Sequence, residues 1–456
     1  MSQPIQYYST NHQSEKVSFR EALLRGQAPD RGLYMPERIP QLSKEQIAAF
    51  SSMQYHEIAY TVISQFVQDE IPADDLKALL KAAYNFDVPL ENVYGRNYLM
   101  RLDQGPTASF KDFAARMMGQ VMQYFLRQEN RKMLILTATS GDTGSAMASA
   151  FYGLDNINVV ILYPETEVTD RQRKQMTTLH NNISVISLDG KFDDCQALVK
   201  KAFADSDLDY LGLSSANSIN IGRLLPQSVY YFYAFSRLAK GIDDEIIFSV
   251  PSGNFGDLMG GIIAKHMGLP VKKFVISTNA NDEVPVYFHS GNYKTIVPSK
   301  NCISSAMNVG HPSNMARIID LYGGEMDEKG NILKKPDFDR LTKEMYAVSI
   351  SDAETENTIK RIYDSHKVLL EPHGSVGWTG LQHFYADNID VDSHEQLAVS
   401  LETAHPAKFP NEINEILDID PVLPPSLSNL EGKEEIMTPL NNDYAKFKEY
   451  LMANFK

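Results

Sequence analysis

"KMLILTATSGDTGSAMASAFYGLDNINVVILYP", residues 132–164, decides the fold. "KMLILTAT" (132–139) is a short apolar run without alternation, the pattern of a strand buried on both faces of a parallel sheet. A glycine-containing loop follows, then the helical "SAMASAFYG" (145–153), then a second strand, "NVVILYP" (158–164). Strand, helix, strand in that order implies parallel pairing. The same grammar returns further along in the strand "EIIFSV" (245–250), the loop "PSGNFGD" (251–257), the helix "LMGGIIAKHMG" (258–268) and the strand "KKFVIST" (272–278). Two such units predict an α/β protein of two open parallel-sheet lobes with a cleft between them.

Upstream the texture differs. "SKEQIAAFSSMQYHEIAYTVISQFV" from Ser43 and "PADDLKALLKAAYN" from Pro72 repeat apolar residues at helical spacing, whereas "APDRGLYMPERIP" (28–40) is a Pro/Gly-rich loop. The expected division is a mainly helical N-terminal domain over 1–95, a small α/β lobe over 130–224 and a large lobe assembled from 96–129 and 225–456. The segment from about 410, containing "DPVLPPSLSNLEGKEE", reads as a proline-containing connector flanked by short helices. No repeat or low-complexity tract interrupts the chain.

The composition narrows the function. A chain of 456 residues with 43% hydrophobic and 22% charged residues is an ordinary globular enzyme-sized protein. A formal net charge of -15 argues against nucleic acid or an anionic membrane as the main partner, though not against a local basic pocket. Cys195 and Cys302 lack CxxC spacing, and the 11 histidines form no HExxH pair, so neither a disulfide framework nor a metal site is expected. "MSQPIQYYSTNHQSEK" has no secretory pattern, and no apolar run has membrane-spanning length. A cytoplasmic protein is expected.

Chemistry enters with "GPTASFKDFAAR" (105–116), which sets Lys111 in the first turn of a helix, where a cation opposes the macrodipole. A solvated lysine with its stem over Phe110 would explain it. So would a lysine whose ammonium pKa is lowered by desolvation and the helix terminus, able to form a Schiff base with a carbonyl such as that of pyridoxal phosphate. "SGNFG" (252–256) lies between strand and helix, where backbone amides bind anions, and it is neither a Walker A loop nor a GxGxxG fingerprint. "TATSGDTGSA" (137–146) offers Ser140, Gly141, Asp142 and Thr143 at the other such junction, as an anion loop or as an ordinary N-cap. "SSANSINIGR" (214–223) supplies Asn217, Ser218, Asn220 and Arg223, a donor set suited to phosphate but equally a capped loop. "ETAHPAKF" (402–409), read alone, is a loop around a proline.

Taken in order, "SFREALLRGQAPDRGLYMPE" (18–37), "GPTASFKDFAAR", "TATSGDTGSA", "LSSANSINIGRL" (213–224), "VPSGNFGDLMGG" (250–261), "EPHGSVGW" (371–378) and "TAHPAKF" (403–409) make the chain resemble the threonine synthases over nearly its whole length. These are pyridoxal-phosphate enzymes of the tryptophan-synthase β-like class, fold type II, here in the longer bacterial and fungal form. The resemblance implies the cofactor pyridoxal 5'-phosphate, held in the large lobe with Lys111 on its aldehyde. It further implies that Gly253, Asn254, Phe255 and Gly256 hold the cofactor phosphate and that Thr403 holds the pyridine nitrogen, which a hydroxyl, unlike a carboxylate, does not keep protonated.

By the same resemblance Ser140, Gly141, Asp142 and Thr143 bind the substrate carboxylate, and Asn217, Ser218, Asn220 and Arg223 the substrate phosphate. The implied reaction converts O-phospho-L-homoserine and water to L-threonine and phosphate, in a monomer or homodimer without nucleic-acid or membrane partners. Competing readings are another enzyme of the class, such as a threonine or serine dehydratase, and a non-catalytic protein that binds a phosphate ligand.

Overall fold

In the computed structural model, which describes residues 4–455, the run at 133–138 is a strand, Met133–Ala138, with every residue buried. It belongs to a five-stranded sheet in the spatial order Thr438–Asn441, Ile183–Asp189, Ile157–Pro164, Met133–Ala138, Leu213–Ser214, parallel at every pairing. Helix Asp142–Phe151 carries the chain from Met133–Ala138 back to Ile157–Pro164. It begins at Asp142 rather than at Ser145, so the polar residues of the loop form its first turn.

The second sheet has six strands, ordered Met345–Ser349, Val271–Thr278, Ile246–Pro251, Leu397–Glu402, Asn97–Arg101, Leu90–Tyr94. All pair in parallel except the last two, which form an antiparallel hairpin. Ile246–Pro251 lies at its centre and is buried throughout. Helices on both faces of each sheet explain why these strands are continuous apolar runs.

Strand pairing redraws two of the expected domain boundaries. The hairpin Leu90–Tyr94/Asn97–Arg101 spans position 95, so a cut there would divide a paired unit that belongs to the six-stranded sheet. At the other end Thr438–Asn441 pairs with Ile183–Asp189, and Phe447 and Leu451 of helix Tyr444–Asn454 bury against Leu198 and Leu208. The C-terminal stretch therefore belongs to the smaller sheet and not to the lobe that supplies residues 225–417. The N-terminal helices share one apolar core with the body: the Tyr55 ring lies 5.5 Å from that of Phe113, in the helix that starts at Lys111.

Loops at the carboxyl ends of three strands converge, the position where open α/β sheets bind ligands. Ala138 leads into 139–141, Pro251 into 252–255 and Glu402 into Thr403. The Lys111 stretch is stitched to the last of these: Phe110 N–H donates to the Thr403 carbonyl (2.8 Å) and His405 N–H to the Ala108 carbonyl (3.0 Å).

Candidate active site

Lys111 is the first residue of helix Lys111–Gln128. Ala108, at φ 54°, turns the preceding backbone sharply. Buried Asp112 accepts from Thr107 N–H (2.8 Å) and Thr107 Oγ1 (2.7 Å), fixing the turn. Nζ of Lys111 stands 4.7 Å from the centre of the Phe110 ring, but its side chain is only 14% exposed. Burial lowers its pKa and nearby Lys408 and Arg223 act in the same direction, while Asp142 opposes them from 3.8 Å. A lowered pKa moves a lysine amine toward the neutral form that can act as a nucleophile or a base.

Asp142 is the electrostatic centre of the loop. Its Oδ1 takes Lys408 Nζ at 2.7 Å and Gln172 Nε2 at 2.9 Å, and Lys408 also donates to the Thr107 carbonyl at 2.8 Å. Burial would raise the Asp142 pKa, but the Lys408 and Lys111 cations outweigh it and hold the carboxyl well below the usual range. The amides of Gly141 and Gly144 are spent on Thr139 Oγ1 (3.0 and 2.8 Å). Of the four residues expected at a substrate carboxylate, Gly141 N–H and the Asp142 side chain are thus committed within the protein. Ser140, the Thr143 side chain and the amides of Asp142 and Thr143, which have no intrahelical acceptor, are left for an anion.

At the second junction Phe255 adopts the left-handed conformation, φ 62°, and caps helix Gly256–His266. A methyl added at Gly253 would lie 2.9 Å from Met307 Cα and 3.0 Å from the Ala306 carbonyl, so only glycine fits there without movement. The Asn254 side chain braces the loop: Nδ2 donates to Ser218 Oγ (2.5 Å), and Oδ1 accepts from Ser313 N–H (2.6 Å). Its contribution to an anion site is therefore its backbone.

That Ser218 contact joins the glycine loop to the 214–223 segment. Arg223 is buried, donates to the Ala216 carbonyl (2.6 Å) and keeps Nε without a partner, and burial pulls its pKa down to about 10. Asn217 Oδ1 is likewise buried and unpartnered. Asn220 departs from expectation. Its Oδ1 accepts from Gly222 N–H (2.9 Å) and its Nδ2 donates to the carbonyls of Leu23 (2.9 Å) and Ser215 (3.0 Å), so it is a helix cap with no donor left for a phosphate. Arg317, fully buried, holds this loop from behind through the carbonyls of Tyr34, Ser218 and Ile219.

Three sequence families match in series. One described as "Threonine synthase N terminus" covers residues 6–84, one described as "Pyridoxal-phosphate dependent enzyme" covers 88–394, and one described as "Threonine synthase, C-terminal" covers 379–451. A threonine synthase of Haemophilus influenzae is 42% identical over 453 residues, 98% of this chain and 99% of the relative. The chain belongs to the threonine synthase family. Solved threonine synthases agree in structure: that of Brucella melitensis, described as bound to PLP, superposes with a TM-score of 0.92 at 34% identity over 99% of this chain and 100% of its own. That of Escherichia coli gives 0.87 at 36% identity over 98% and 99%.

Members of the threonine synthase family are pyridoxal-phosphate-dependent lyases, and the residues present suit that cofactor. A buried lysine with a depressed pKa, a glycine cradle that a methyl would fill and a left-handed residue opening a helix at that cradle are what an aldehyde and a phosphate need. Among the described residues no helix is long and apolar enough to cross a membrane.

Sequence reading missed the residues that brace these loops: Lys408 and Gln172 on Asp142, Arg317 behind the 214–223 segment, and Glu371, His373 and Glu402 beside Thr403. Lys408 and Thr107 are 301 positions apart, and nothing local marks either one. Glu371 carried a usable signal, since an acid immediately before Pro372 and two residues before His373 is an N-cap pattern.

Proposed function

We propose that this chain converts O-phospho-L-homoserine and water to L-threonine and phosphate in the cytoplasm. Lys111 would hold the cofactor aldehyde, the backbone amides from Gly253 to Gly256 its phosphate, and Thr403 its ring nitrogen. Bound there, pyridoxal phosphate supplies an electron sink for negative charge developing on the substrate carbon skeleton.

The protein's own groups divide the remaining work. Ser140, Thr143 and the amides of Asp142 and Thr143 at the start of helix Asp142–Phe151 take the substrate carboxylate. Lys408 neutralises Asp142, so that carboxylate does not meet an uncompensated charge. Lys111 Nζ, neutral once freed, accepts the proton from Cα. Asn217, Ser218 and Arg223 bind the substrate phosphate, which departs from Cγ before water adds at Cβ. Asn220 positions that loop without touching the substrate.

The observation that carries this reading is Arg223. A buried guanidinium with a single carbonyl partner and an unpartnered Nε, next to but distinct from the glycine cradle, supports a second phosphate, which a dehydratase substrate does not possess. The test is to incubate the cofactor-loaded protein with O-phosphohomoserine and quantify both products. Equal amounts of threonine and phosphate are expected. Ammonia released from serine or threonine, with no phosphate from O-phosphohomoserine, would contradict the reading.

A further inference from the structure

Arg317, in helix Met315–Leu321, lies fully buried behind the 214–223 segment and spends its N–H groups on neutral oxygens. Nε and Nη2 donate to the Tyr34 carbonyl (3.2 and 3.1 Å), Nη1 to the Ser218 carbonyl (3.0 Å) and to Asn314 Oδ1 (2.6 Å), and Nη2 also to the Ile219 carbonyl (2.6 Å). Among the described residues no carboxylate pairs with it. The one acid of its own helix, Asp320, is taken by the Tyr8 hydroxyl and by His12 (2.7 Å). Burial pulls the Arg317 pKa down to about 9, so the group is still a cation at neutral pH.

These bonds decide which way the loop faces. Residues 217–220 form a turn closed by Asn220 N–H on the Asn217 carbonyl (3.0 Å), with Ser218 and Ile219 at its centre. The peptide between those two is trans, so its N–H points opposite to its C=O. With the Ser218 carbonyl anchored on Arg317, the Ile219 N–H is turned to the far side, where it donates to no group among the described residues.

The Ser218 hydroxyl is left as a donor too. Asn254 Oδ1 accepts from Ser313 N–H (2.6 Å), which makes Nδ2 the amide nitrogen that donates to Ser218 Oγ (2.5 Å). A hydroxyl that accepts there keeps its single proton for another partner. A methyl added at Gly256 would lie 3.1 Å from Ser218 Cβ, so the turn packs directly on the glycine cradle, and its residues 217–219 are only half-buried.

We infer that Arg317 fixes the Ser218–Ile219 peptide with its N–H toward the substrate, making the Ile219 amide a donor to the substrate phosphate beside the Ser218 hydroxyl and Arg223. This rests on the 214–223 segment being the substrate-phosphate site, as assigned under Proposed function, and adds to it one backbone donor and the cation that aims it. The buried charge pulls on the carbonyl end of the peptide and presents the amide end to the anion. Arg317 is a positioning residue, since its own N–H groups are all spent within the protein.

The experiment uses the full chain loaded with pyridoxal phosphate and labelled with 15N at isoleucine, with inorganic phosphate as the probe. The Ile219 amide is the NMR resonance that Ile219→Val removes. In the wild type it is expected to move downfield as phosphate is added, with the same half-saturation as competitive inhibition by phosphate against O-phosphohomoserine. Arg317→Met is expected to raise both values by about 10-fold or more. A purely structural arginine would lower the melting temperature and leave both values alone. A wild-type Ile219 resonance that stays in place while phosphate inhibits overturns the proposal without any Arg317 variant, and so does a folded, cofactor-loaded Arg317→Met protein with unchanged half-saturation. Arg223→Met separates the two layers: phosphate inhibition that it leaves untouched means that phosphate binds elsewhere, so the site assignment itself fails.

Discussion

Lys408 Nζ sits 2.7 Å from Asp142 Oδ1 with no exposure to solvent, in the same loop whose other side approaches Lys111. The pair sets the two buried lysines apart. Lys408 is occupied by a carboxylate and the Thr107 carbonyl, whereas Lys111 is 3.8 Å from the same carboxylate and has its pKa lowered by burial.

Breaking that pair from one side strands a buried charge. Lys408→Met is expected to destabilise the protein by about 3–5 kcal/mol in urea unfolding, and Asp142→Asn combined with it to recover most of the loss. In the single variant the KM for O-phosphohomoserine should rise, because an uncompensated Asp142 then stands beside the substrate carboxylate.

Gly253→Ala would press a methyl against the backbone at Met307 and Ala306. Neither neighbour is a flexible side-chain tip, so the cradle must open. A loss of cofactor affinity of about 10- to 100-fold, equivalent to about 1.4–3 kcal/mol, is expected in a fluorescence titration of the apoprotein with pyridoxal phosphate. Unchanged affinity would remove the cradle from the phosphate site.

Arg223→Met removes a buried charge without stranding a carboxylate, because the partner it loses is the Ala216 carbonyl. The fold should survive. Charge-assisted hydrogen bonds of about 1.5–3 kcal/mol predict a KM for O-phosphohomoserine raised by about 10- to 150-fold, with competitive inhibition by inorganic phosphate weakened in parallel. Steady-state kinetics with and without phosphate check this.

Glu283 opens helix Glu283–Ser290 with its carboxyl buried and Oε2 unpartnered, and burial pushes its pKa up to about 7. The folded state therefore holds a proton that the unfolded chain releases near pH 4.3. Stability should fall as pH rises from about 4.5 to 7, and Glu283→Gln should abolish that component, leaving the variant about 3 kcal/mol more stable than wild type at pH 8. Unfolding curves at pH 5 and pH 8 measure it.

The parallel-sheet lobes were legible because fully buried strands such as Met133–Ala138 and Ile246–Pro251 are written as unbroken apolar runs beside glycine loops. Lys111 drew notice because a cation at a helix start is locally out of place, and the structure does put it there, largely buried. Thr438–Asn441 was not, being short, half-exposed and proline-containing, and a strand only through its pairing with Ile183–Asp189. Asn220 misled because a helix cap and a phosphate ligand draw on the same residue types; its contact with the Leu23 carbonyl, 197 positions away, decides between them. Lys408 acts through Asp142 and the Thr107 carbonyl, partners assembled by the fold that no window of sequence contains, whereas Glu371 meets His373 and Gly374 locally and only Thr403 and Glu402 across the fold.

The claim on which the account turns is that Lys111, and not Lys408, bonds to the cofactor. Borohydride reduction of the cofactor-loaded protein, followed by proteolysis and mass mapping, reads this directly. A pyridoxyl adduct confined to the peptide containing Lys111, and absent from Lys111→Ala, is the result expected. An adduct on Lys408, or one that persists in Lys111→Ala at wild-type yield, would contradict it.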